Sequence, residues 1–120
     1  MADLTGTWLG TYWQNQEPTR FEATLVQSGN TLTGNILDDS SLGEATLQGT
    51  VVGRKVHFIK TYIGSPHLVP IDYTGTVGDE EDFLRGSWSF PNSRGSGPWE
   101  ARRSGDNLVA SFTRQLATSR

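Results

Sequence analysis

The chain has no cysteine and two histidines in 120 residues. Disulfide frameworks and thiolate chemistry are therefore excluded. The histidines, His57 and His67, have no partner at ligand spacing such as H-x-H or H-x-x-x-H, so no metal site is expected, and no cofactor is assigned. There is no basic excess: ten Lys and Arg stand against thirteen Asp and Glu, interspersed, with a net charge of −3. That balance lacks the basic patch of a nucleic-acid binder. No apolar run approaches a membrane span, and the start MADLTGTW has neither a basic nor an apolar leader region. The expectation is one cytoplasmic domain over 1–120, with no nucleic-acid or membrane partner.

What the chain has is glycine, fourteen of them spread along its length, and a period of two. Eight alternating segments run over 4–13, 20–28, 31–38, 43–51, 54–63, 69–78, 82–90 and 97–103, spaced as in a barrel or sandwich. No helical period appears before residue 104. The predicted fold is all-β, an eight-stranded antiparallel up-and-down barrel over 4–103. An appendage follows at 104–120, in which Leu108, Val109, Phe112 and Leu116 suit a helix and Leu108, Ala110 and Phe112 suit a ninth strand.

The connections alternate in length. SGN at 28–30, VGR at 52–54 and GDEED at 78–82 read as tight turns. QNQEPT at 14–19, DDSSLG at 38–43, IGSPHL at 63–68 and PNSRGSG at 91–97 read as longer loops. In a meander these two sets fall at opposite ends, which predicts a cup with a closed floor and a loop-ringed mouth.

One parity assigns an inward face to every strand. The mouth receives Tyr12, Phe21, Ile36, Tyr62, Ile71, Phe90 and Trp99, with Lys60, Tyr73 and Trp88 one step deeper. The floor receives Trp8, Leu25, Leu32, Val51, Val56, Val77, Leu84 and Arg103. Five inward glycines, Gly10, Gly34, Gly49, Gly75 and Gly86, would let the strands coil tightly and leave room for large neighbours. Lys60 has two readings: it reaches solvent at the strand end, or it pairs with an anion beside Tyr12, Tyr62 and Tyr73. Asp38 and Asp39 read as turn formers in a mouth loop rather than as a catalytic dyad.

GTW at 6–8, early on the first strand, resembles the G-x-W signature of lipocalins, within the calycin superfamily. The resemblance implies that Trp8 closes the floor and is covered by an arginine of the last strand, here Arg103 or failing that Arg102. IDY at 71–73 is similar to the family's T-D-Y element, with Ile for Thr. Avidins, more distantly similar, also open with GTW and repeat LTG-like elements. Their ureido-binding polar residues are replaced here by Leu9, Gly10 and Thr11, so biotin is not the expected ligand. Some chromophore lyases and natural-product cyclases are similar in architecture alone.

The expected function is lipocalin-like binding of a small hydrophobic or aromatic molecule. Tyr12, Phe21, Phe58, Lys60, Tyr62, Tyr73, Trp88, Phe90 and Trp99 are the candidate ligand residues, and Trp8 and Arg103 form a structural floor. Two alternatives stand beside it. One is a cyclase or isomerase templated by the cavity, with Tyr62, Tyr73 or Lys60 as proton donor or electrostatic stabiliser. The other is a side-chain-filled barrel that assembles, as a homodimer for instance, through outward Leu9, Trp13, Val26, Leu37, Ile59, Ile63 and Phe83. No nucleophile, base and orienting group occur together, so no catalytic residue is assigned.

Overall fold

The computed structural model describes residues 3–65, 68–91 and 95–104. Eight strands follow one another: β1 (Gly6–Gln14), β2 (Glu17–Ser28), β3 (Thr31–Asp38), β4 (Glu44–Val52), β5 (Lys55–Tyr62), β6 (Ile71–Val77), β7 (Phe83–Ser89) and β8 (Ser96–Arg103). Each pairs antiparallel with its neighbour, and β1 pairs with β8 to close the barrel. Closure leaves no free sheet edge, which suits a small all-β chain without disulfides. The tail 105–120 and His67 lie outside the described residues, so neither the helix nor the ninth strand is decided.

The inward parity holds on all eight strands. Trp8, Tyr12, Ala23, Leu32, Leu47, Phe58, Val77, Trp88 and Ala101 are among the buried core, and outward positions such as Glu22, Thr33 and Gln48 are exposed. Alternation of this kind is what a strand with one face in a core and one in water requires. The inward glycines accommodate the barrel's own atoms. A side chain at Gly10 would collide with the Phe21 ring, and one at Gly75 with the Trp99 indole.

Those two glycines also explain a correction to the predicted heights. Phe21 and Trp99 are not at the mouth; they lean into the barrel over Gly10 and Gly75 and border an inner void of about 20 Å³, together with Phe58 and Lys60. Strands tilt in a closed barrel, so equal distance from a loop in sequence is not equal height. A void of that size is about one water molecule wide. The middle of the barrel is therefore filled by its own side chains.

The first connection is a second correction. QNQEPT is not a mouth loop: β1 runs to Gln14, β2 starts at Glu17, and Asn15 and Gln16 make a two-residue turn with φ of 51° and 70°. Two successive left-handed residues match the twist of a hairpin. Pro18 is tolerated because β2 reaches past β3 there and pairs with β1 alone;.

The floor is built around Trp8 and Arg103. Trp8 is fully buried and faces Arg103 across the β1–β8 pairing, with the guanidinium 4.7 Å from the indole ring centre. Arg103 also donates to the carbonyls of Asp3, Thr5 and Glu81 and to the Asp82 carboxylate at 2.9 Å. Leu4, expected at the start of β1, instead precedes the strand and plugs the floor, its carbonyl accepting the Trp8 indole N–H at 2.9 Å.

Candidate functional site

At the opposite end an apolar recess of about 180 Å³ opens between the loops. Tyr12, Tyr62, Tyr73, Trp88, Phe90, Ile71, Gln14, Leu42, Leu68 and Val69 line it. Five of the nine candidate ligand residues are thus brought together: Tyr12, Tyr62, Tyr73, Trp88 and Phe90. The other four, Phe21, Phe58, Lys60 and Trp99, lie deeper. Phe58 stacks on Tyr73 at 4.9 Å between ring centres, and Trp99 meets both edge-on, donating its indole N–H to the Thr74 carbonyl. These three form the packed support beneath the recess.

Lys60 settles the choice left open by its position. It does not reach solvent: it is 1% exposed, and its Nζ donates to both carboxylate oxygens of Asp38 at 2.9 and 3.0 Å. Its ammonium lies 4.6, 4.7 and 5.6 Å from the ring centres of Tyr12, Tyr62 and Tyr73. Three electron-rich faces and a carboxylate replace the water that a buried ammonium loses. Burial still drives the Lys60 pKa below the ordinary lysine value, against the opposing pull of the Asp38 carboxylate.

Asp38 is the member of this cluster that its sequence neighbourhood disguises. It is the last residue of β3, not a loop turn former, and is 4% exposed. Besides Lys60 it accepts a hydrogen bond from the Tyr12 hydroxyl at 2.9 Å and another from the Tyr62 hydroxyl. The signal was available, because Leu32, Gly34, Ile36 and Asp38 share one parity. Its neighbour Asp39 is exposed, as a turn former should be.

The chain's three tyrosines are all in this cluster. Burial, reinforced by the negative charge of Asp38, raises the pKa of each above the ordinary phenol value. All three hydroxyls therefore stay protonated across the neutral range. Tyr73 is 3% exposed and borders the recess, yet its hydroxyl has no hydrogen-bond partner among the described residues, whereas no enclosed side-chain polar atom described is left unbonded.

Gln14, Leu42, Leu68, Val69 and Ile71 complete the recess and were not among the candidate ligand residues. Ile71 has the inward parity at the mouth; Leu42 and Leu68 come from connections, where no period exists to point them inward, whereas Val69, within the predicted segment 69–78 and on its inward parity, lies in the connection before β6. Elsewhere, a shallow open groove of about 610 Å³ crosses the outer faces of β8, β1, β2 and β3, with Leu9 and Leu37 exposed on either side of Glu22. His57 sits on the outer face and meets Asp72 at 2.9 Å. Among the described residues no three His, Asp or Glu side chains gather as a metal-binding set. Comparison with protein-family models and with curated proteins finds no match, so what the recess does has to be read from its own chemistry.

Proposed function

We propose that this barrel binds a small, largely apolar molecule in its mouth, in the manner of a lipocalin but on a smaller scale. The observation that carries the reading is the recess itself: aromatic and aliphatic walls converging on three tyrosines, above a barrel with no comparable space inside. Binding sites are of this kind, mostly apolar with a few convergent polar groups. Size then limits the ligand. An apolar cavity of about 150 Å³ holds one benzene molecule, so a recess of about 180 Å³ takes a single ring with a short substituent. Chains or fused ring systems of the size carried by larger barrels would not fit.

The test is an NMR titration with phenol, anisole and toluene in turn, saturable binding of any one of them sufficing. Saturable shifts of the Trp88 indole N–H and of the Leu42 and Leu68 methyl groups are expected. Val69 borders the recess and is 47% exposed, so Val69→Trp can fill it from the rim without disturbing the core. That variant should keep the fold's spectrum and lose the titration. Absence of saturable shifts, or shifts unchanged in Val69→Trp, would overturn the reading.

A further inference from the structure

The floor of the recess fixes the hydrogen-bonding sense of what can sit on it, an inference that rests on the binding reading above. A tyrosine hydroxyl carries one proton and two acceptor lone pairs. The protons of Tyr12 and Tyr62 both point to Asp38. The two hydroxyl oxygens are 3.4 Å apart, longer than the 2.9 Å bond from Tyr12 to Asp38, so the contact between them does not divert either proton. Asp38 and Lys60 do not border the recess; the tyrosines do. Toward a ligand, Tyr12 and Tyr62 therefore have lone pairs to offer and no proton.

The cluster also holds that arrangement in place. Asp38 is fixed by Lys60 from the other side, through both carboxylate oxygens. A hydroxyl that donates to a carboxylate becomes a better acceptor in turn, because hydrogen bonds in a chain polarise one another. Lys60 and Asp38 offset each other's charge, so the floor has no net charge to attract an ion. Tyr73 adds a third hydroxyl, unbonded among the described residues, able to donate or accept.

We propose that the ligand is a neutral single-ring molecule bearing one O–H or N–H donor, of the phenol, aniline or pyrrole kind. Its donor meets the Tyr12 and Tyr62 oxygens and its ring lies against Trp88, Phe90 and Ile71. A fully apolar ring of equal size would leave the Tyr12 and Tyr62 oxygens without a partner, and an acceptor-only ring would do the same while drawing a hydrogen bond from Tyr73 alone, which disfavours both against a donor;.

Three probes of similar size separate the cases: phenol, which donates; anisole, which only accepts; and toluene, which does neither. Phenol is expected to bind at least about tenfold more tightly than toluene, the ratio that one hydrogen bond at a dry site gives. Anisole, which only Tyr73 can meet, is expected to bind clearly more weakly than phenol. Tyr62→Phe should narrow the phenol-to-toluene ratio, a change that mere loosening of the fold would not produce. Equal affinities for phenol and toluene, or anisole matching phenol, would overturn the donor rule while leaving a binding recess. Failure of all three probes to bind would overturn both.

Discussion

Each end of the barrel sets one cation against aromatic rings and a carboxylate, and the two do so in opposite ways. At the floor, Arg103 covers Trp8 from outside, its side chain 19% exposed, and its hydrogen bonds run to backbone carbonyls and to the half-exposed Asp82. At the mouth, Lys60 lies inside, beneath three tyrosines, bonded to a carboxylate that water does not touch. A guanidinium with five donors can fasten several segments at once while staying partly hydrated. A buried ammonium can be satisfied only by a partner built for it. The floor arrangement thus closes the barrel, and the mouth arrangement orients hydroxyl groups.

The comparison is tested most severely at Asp38. Breaking a buried ion pair on one side typically costs about 3–5 kcal/mol, because the remaining charge is stranded. Asp38→Asn should lose that much in urea unfolding. Lys60→Met should lose less, since the carboxylate keeps the Tyr12 and Tyr62 donors. The double variant should be more stable than Asp38→Asn alone. Strictly additive losses would mean that the pair is not a unit and that the mouth resembles the floor after all.

A second difference is in the response to alkali, because the mouth holds every tyrosine of the chain. Each has a folded pKa raised above the ordinary 10.0, so above that pH the unfolded chain releases protons that the folded one keeps. Stability must then fall as pH rises, with a limiting slope of about 4 kcal/mol per pH unit for three such groups. Lys60 works in the other direction. Its folded pKa is lowered from 10.5, so between the two values the unfolded chain binds more protons and stability rises with pH;. These four groups together give a gain that turns over near pH 10 and becomes a steep loss. Tyrosinate absorbance should appear only as the protein unfolds. Ionisation of a tyrosine near pH 10 in the folded state would contradict the dry cluster.

How much of this was legible follows from where periodicity exists. On the strands, alternation alone put Trp8, Tyr12, Lys60, Tyr62, Tyr73 and Trp88 on the inner face, and the floor pair followed from GTW and Arg103. Asp38 has the right parity, but Asp-Asp-Ser-Ser has the composition of a turn, which masks its position on the strand. Pro18 misled in the same way, since proline ends most strands and is permitted on one that has outrun its neighbour;. Heights failed at Phe21 and Trp99 because shear in a closed barrel is a property of the pairing register, which no single strand contains. Leu42 and Leu68 were illegible for a simpler reason: they follow no repeat, and only the closed ring of strands brings their connections over one opening, where Val69 joins them on the parity of Ile71 and Tyr73.

The smallest expected effect is at the floor. Arg103→Met removes one cation–π contact and four hydrogen bonds, but at a rim where water can replace most of them. A loss of about 2 kcal/mol in urea unfolding is expected. Trp8 should stay enclosed, because Leu4 still accepts its indole N–H from below. Phenol affinity at the mouth should stay within about twofold of the parent, since sites that share no partners behave additively. Had the floor been part of the ligand site, as it would be in a hollow barrel open along its whole length, the same substitution would reach the ligand through the cavity. The filled middle, with a void of only about 20 Å³, is what separates the ends. A drop in phenol affinity in Arg103→Met would show that the middle transmits what its packing suggests it blocks.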